Sequence, residues 1–274
     1  MKLTYPISII ALLLLMFKAT QAQDRVFART YQSNVLNKGN FDLEVWSTYS
    51  FGREDFFSKL KQRVEFEFGV SNRTQTAFYL NFEQQSFVKK YESNSEIVTA
   101  SPAFSFSNEW KFKVSDPVAD RIGFALYGEF TLSTSEIELE GKLIFDKKIN
   151  NHLFAANITG EAELEHEFES EENKTSLENE KNKLQLDLAY MHLFEKGWGL
   201  GIEMQNRNGF AKGEWKYSAL YTGPTLSWHS AKSWWLILNV MPQITNLKAE
   251  SGKGNLELSS NEKFDVRLLF AYIF

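Results

Sequence analysis

Apolar side chains at every second position, held for roughly ten residues and renewed along almost the whole chain, leave few folds open. The final stretch shows it most cleanly: Phe264, Val266, Leu268, Phe270, Tyr272 and Phe274 share one face, with Lys263, Asp265 and Arg267 on the other. Farther back, Phe154, Ala156, Ile158, Ala162 and Leu164 alternate with Asn157, Thr159, Glu161, Glu163, Glu165 and Glu167. Four glutamates in line cannot enter a dry core, so the face opposite the apolar one is expected to be wet.

Such segments fall at 41–51, 59–69, 74–87, 101–114, 121–133, 137–146, 152–168, 183–194, 198–208, 218–228, 233–246 and 261–274. Twelve is an even count, as a closed antiparallel sheet with both chain ends on one side requires, and boundary error allows 10–14. Tight links are expected after the even-numbered strands. Longer polar loops are expected after most odd ones, at 52–58, 88–100, 169–182, 208–217 and 248–261, with a short exception near Ser133.

A soluble sandwich also alternates, so the leader and the aromatic residues matter. Lys2, the apolar run 7–17 and the small residues before Gln23 have the order of a secretory signal, predicting removal of residues 1–22, a periplasmic segment at 23–38 and a barrel over 39–274. The run is too short to stay as a spanning helix. Strands of about ten residues tilted by ~40° cover the ~25 Å apolar band of an outer membrane, and lipid forces the sheet to close. Aromatic residues fall near segment ends, as interfacial girdles need: Phe41, Phe68, Trp110, Phe112, Phe194, Trp198, Trp228, Trp234, Tyr272 and Phe274 at one level, with Tyr49, Phe51, Phe82, Phe104, Phe130, Phe168 and Phe264 at the other.

Signal, amphipathic strands and the ending Tyr272-Ile273-Phe274 resemble a Gram-negative outer-membrane β-barrel. Arg25 to Tyr31 with Lys38-Gly39 and Glu44-Val45-Trp46 is similar to the start of porin-like transporter families of unassigned substrate. The resemblance implies an all-β, closed, up-and-down transmembrane barrel. It further implies a multi-pass place in the outer membrane, with lipid and lipopolysaccharide around it and Phe270, Tyr272 and Phe274 read by the barrel-assembly machinery.

The inward face carries both signs, and the candidate pore lining is Glu138, Glu140, Lys142, Glu161, Glu163, Glu165, Glu167, Asp187, Glu203, Arg207 and Arg267. Twelve strands give a backbone diameter of roughly 24 Å and a bore of about 10 Å, enough for a small solute of unknown identity. The expected function is a passive or facilitated path, weakly favouring cations through the glutamate stripe. The alternative is a non-conducting structural or surface-interaction barrel whose lumen is closed by cross-paired charges. Residues 24–38 either hang free or fold into the opening.

Other classes find little support. Net charge is −5, and 28 basic face 35 acidic residues once 1–22 are gone, giving no basic excess for nucleic acid. Cysteine is absent, which excludes thiolate metal sites and disulfides. Of the four histidines, His152, His192 and His229 fall toward the periplasmic end and His166 on the lipid face, so no hydrolase constellation can be built and the chain is expected not to be an enzyme. The acidic stretch 169–180 lacks the Gly and Asp of a calcium loop. No cofactor, resident metal or further subunit is expected.

Overall fold

The computed structural model describes residues 25–90, 96–169, 174–230, 233–250 and 254–274; the expected leader lies outside them. Twelve strands follow in order: β1 Phe41–Phe51, β2 Phe57–Ser71, β3 Thr74–Lys90, β4 Glu96–Ser115, β5 Gly123–Ser133, β6 Glu136–Ile149, β7 His152–Glu169, β8 Lys174–Leu193, β9 Trp198–Ala211, β10 Glu214–His229, β11 Trp234–Lys248 and β12 Phe264–Ile273. Each pairs antiparallel with its sequence neighbours, and β1 pairs with β12 over Asp42↔Ile273 to Phe51↔Phe264, so the sheet has no free edge. No described helix is long and apolar enough to cross a membrane.

The alternation resolves as expected. Val45, Leu80, Leu143, Ile158, Leu188, Ile202 and Leu238 point outward and are 40–68% exposed. Asp42, Glu65, Glu109, Asp187 and Glu203, on the other face, are at most 1% exposed. So continuous an apolar exterior does not belong in water. Aromatic pairs ring it at two levels. Phe41–Phe68, Trp198–Trp228 and Trp228–Trp234 lie at 5.8, 5.6 and 4.4 Å near the inner end, where β1 begins; Phe51–Phe264 and Phe82–Phe104 lie at 5.3 and 5.0 Å near the outer end.

Connection lengths depart from expectation. The stretches 88–100, 169–182 and 208–217 are mostly strand: β3 reaches Lys90, β4 starts at Glu96, β7 and β8 extend to Glu169 and from Lys174, and β9 turns into β10 through Lys212 and Gly213, both at positive φ. Twenty-residue β4 and β8 run about 66 Å, well beyond an apolar band of ~25 Å. Where hairpin arms stand in water on both sides, nothing enforces alternation, and a polar strand reads as a loop. Among the described residues, outer length is therefore carried mainly by strands, with the 52–56 and 249–263 connections as exceptions.

Candidate functional site

The lumen is not empty. From Arg25 to Leu36 the chain runs inside the inner half of the cylinder, with Phe27, Ala28, Thr30, Ser33 and Leu36 fully buried. The sequence predicts residues 23–38 as a segment before the barrel, free or folded into its mouth; residues 25–36 lie within the bore, while Asn37 and Lys38 are exposed. The segment forms neither strand nor helix, so its backbone amides must find partners elsewhere.

Strand side chains supply those partners. The Glu203 carboxylate of β9 accepts three successive amides, from Ala28, Arg29 and Thr30, each at 2.8 Å. Asn157 of β7 takes the Tyr31 amide at 2.6 Å and returns a bond to its carbonyl at 3.0 Å. Gln75 of β3 accepts from the Leu36 amide at 2.9 Å, and His229 Nε2 meets the Arg25 carbonyl at 2.7 Å. The guanidinium of Arg25 reaches Glu44 at 3.2 Å, and that of Arg29 reaches Asn239 at 2.8 Å and Asp265 at 3.5 Å.

Two apolar clusters complete the seat. Val26 and Phe27 pack on Leu153, Ala155, Ala189 and Met191, while Ala28 and Tyr31 pack among Trp46, Ile144, Trp235 and Leu269. Lys142 stands 4.0 Å from the centre of the Tyr31 ring, whose edge meets Tyr127 at 5.2 Å. Beyond Leu36 the chain passes so close to β2 that a Cβ on Gly69 would lie 2.1 Å from the Asn37 carbonyl oxygen. Only glycine fits there.

A second intrusion comes from the outer end, where the β11–β12 connection folds inward. Glu257 is fully buried there and accepts bonds from Ser259, Ser260 and Asn261, and its own backbone pairs with Gln243. Glu262 receives Arg53 at 2.6 Å and Lys59 at 3.1 Å, and Tyr221 donates to its carbonyl. Burial would raise the Glu262 carboxyl, but Lys59 and Arg53 overcome it and hold it below the usual range.

The candidate lining residues divide into two groups. Glu203, Arg207, Asp187 and Arg267 make the middle layer: Arg207 meets Asp265 at 2.6 Å, Arg267 donates to Thr48 and to the Ala28 carbonyl, and Asp187 accepts from Gln185 and Gln205. Glu138, Glu140, Lys142, Glu161, Glu163 and Glu165 gather nearer the outer end, where Lys183 bridges Glu161 and Glu163, Lys181 meets Glu165 at 2.8 Å and Lys142 meets Glu140 at 3.0 Å. The stripe is therefore partly neutralised from β8. Glu167 stands opposite Ser176, and its side chain lies outside the described residues, as do those of Phe168 and His166. Nothing in the sequence marks Asn157, Gln75, Asn239 or His229 as anchors, or Lys181 as a counter-charge. The discernible signal is Asn157, an uncharged amide on an inward face that otherwise runs into four glutamates.

A family described as a family of unknown function (DUF6662) matches residues 19–274, and the chain belongs to it. No curated protein matches in sequence. Among solved structures, the chain is similar to a COG4313 outer membrane channel from Pseudomonas putida F1, at 10% identity and a TM-score of 0.59 over 88% of this chain and 98% of that one. It is similar to the NanC porin at 9% identity and a TM-score of 0.52, covering 84% and 98%. The β domain of the Bordetella autotransporter BrkA gives 7% identity and a TM-score of 0.52, covering 87% and 100%. These likenesses show the fold of an outer-membrane β-barrel.

Proposed function

We propose that this barrel provides a gated path for small solutes across the outer membrane, shut in the present conformation by residues 25–36. The carrying observation is how that segment is held. Glu203 fastens three successive amides and Asn157 pairs with Tyr31 as a strand would, yet the segment belongs to no strand and enters beside one wall. Side-chain latches of this kind can be released without breaking the sheet. Once the inner half is vacated, the outer acidic group, five carboxylates against Lys142, Lys181 and Lys183, would favour cations weakly.

The reading includes export through residues 1–22, insertion as a monomer by the assembly machinery through Phe270, Tyr272 and Phe274, and a surround of lipid and lipopolysaccharide. A non-conducting scaffold is the second reading, favoured by the inward fold of the connection bearing Glu257. Planar-bilayer recording separates the two. Removing residues 25–36, or substituting Glu203→Gln, is expected to convert a quiet barrel into one with stepwise conductance. Persistent silence of the folded, shortened barrel would favour the scaffold.

A further inference from the structure

In β1 and β2, the inward side chains meet as like-charged cross-strand pairs. Asp42 stands opposite Glu67, and Glu44 opposite Glu65. Directly opposed residues on one face have Cβ atoms about 5 Å apart, and like charges so placed repel. All four are 0–1% exposed, which removes the water that would otherwise screen them.

Their partners do not close the account. Glu44 receives Arg25 at 3.2 Å and the Trp46 indole at 2.7 Å, and Glu67 receives Gln75 at 2.7 Å. No amide, hydroxyl or cationic donor reaches Asp42 Oδ1 or either oxygen of Glu65, and the Glu67 carboxyl lies within hydrogen-bonding reach of Glu65. Arg25 and Lys111 act on Glu44 and Arg63 acts on Glu65, while Glu109 stands as a fifth carboxylate beside Glu65, so five carboxylates facing three cations leave two negative charges. That is the charge of one divalent ion.

One ligand oxygen each from Asp42, Glu44 and Glu67 lies within 4.8 Å of the others, which is twice a typical calcium–oxygen distance. We infer that this block, at the foot of the luminal segment, binds a hard divalent cation, calcium above magnesium, through Asp42, Glu44 and Glu67 with Glu65 closing the site. All donors are oxygens, and long glutamate arms from two strands suit the larger ion's variable geometry better than magnesium's strict octahedron. In the two other carboxylate groups of this size, Glu136 with Glu163 and Glu165 and Glu138 with Glu161 and Glu163, lysine ammoniums already pair with two of the three carboxylates, whereas here only Glu44 is ion-paired, to Arg25. The inference does not depend on conduction.

The test uses the whole processed barrel, purified in detergent free of lipopolysaccharide, stripped with chelator and titrated with calcium by calorimetry and bound-metal analysis. A single calcium per barrel is expected. It should be retained in Glu161→Gln and weakened ~10-fold or more in the Asp42→Asn, Glu67→Gln double variant. Folding is checked by heat-modifiable gel migration, and should the double variant fail to fold, wild-type barrel must still unfold at higher temperature with calcium than with chelator. No binding, equal loss in Glu161→Gln, or an unmoved wild-type midpoint overturns the site. So does an infrared band of a protonated carboxyl that vanishes in Glu65→Gln while calcium has no effect, since the four would then share protons.

Discussion

Asn157 behaves toward Tyr31 as a strand neighbour would: its side-chain oxygen takes the tyrosine amide at 2.6 Å and its side-chain nitrogen returns a bond to the tyrosine carbonyl at 3.0 Å. One amide side chain thus replaces a rung of ladder for a segment that lies in no sheet. Replacing it with alanine removes both bonds and leaves two buried backbone groups unpartnered, a cost of about 1–3 kcal/mol per group that falls on the seating of the segment. Asn157→Ala is expected to raise the cleavage of residues 25–36 by added protease and to increase channel opening in bilayers. Unchanged protection would remove Asn157 from the latch.

Charge in the outer half offers a second expectation. Lys183 bridges Glu161 and Glu163, so changing both to glutamine deletes two negative charges and frees one positive. In a barrel lacking residues 25–36, the reversal potential under a salt gradient should move toward anions relative to the shortened parent. An unmoved potential would mean that ions bypass the stripe.

Acid should register at the inner-end connection 116–122. Asp116 accepts from Lys113 at 2.6 Å and from the amides of Val118 and Ala119 at 2.9 and 3.1 Å. The Lys113 bond first, and the amides after it, lower its carboxyl from an ordinary 3.8 to about 2. With the folded value depressed, the stabilisation is complete above about 3.8 and disappears as pH falls through about 2. Exposure limits it to under ~1 kcal/mol. Asp116→Asn should lower the unfolding midpoint slightly near neutral pH and leave it equal to wild type in strong acid; a gap that persists in acid would contradict the ionic origin.

At the other terminus, the Phe274 amide donates to the Phe41 carbonyl at 3.1 Å, and its ring meets Tyr272 edge-on at 4.9 Å. These contacts are peripheral to the lumen. Phe274→Ala should reduce the amount assembled in the outer membrane several-fold while the protein still refolds in detergent. Equal loss in both settings would make Phe274 structural instead of a sorting signal.

The barrel was legible because lipid and water on opposite faces impose a period of two, and segments such as 264–274 carry it without interruption. Polar hairpin arms escaped because water on both faces imposes no period; hence Lys174 to Asn182 read as loop and Lys181 was not seen as the counter-charge to Glu165. The luminal segment escaped for a different reason. Arg25 to Leu36 has no repeat of its own, and its conformation is dictated by Glu203, Asn157, Gln75 and His229, which lie 39 to 204 residues away in the chain. Glu203 was recognised as facing inward, but nothing local indicates that a carboxylate will collect backbone amides instead of solvent.

Only four residues, Asn37 to Asn40, separate Leu36 from the start of β1. A stopper on so short a leash cannot drift away when its fastenings let go. Its local concentration at the bore stays in the millimolar range whatever the abundance of the protein, so reclosure is a property of the single molecule. A pore built this way would flicker, with open intervals set by how long the leash takes to swing back.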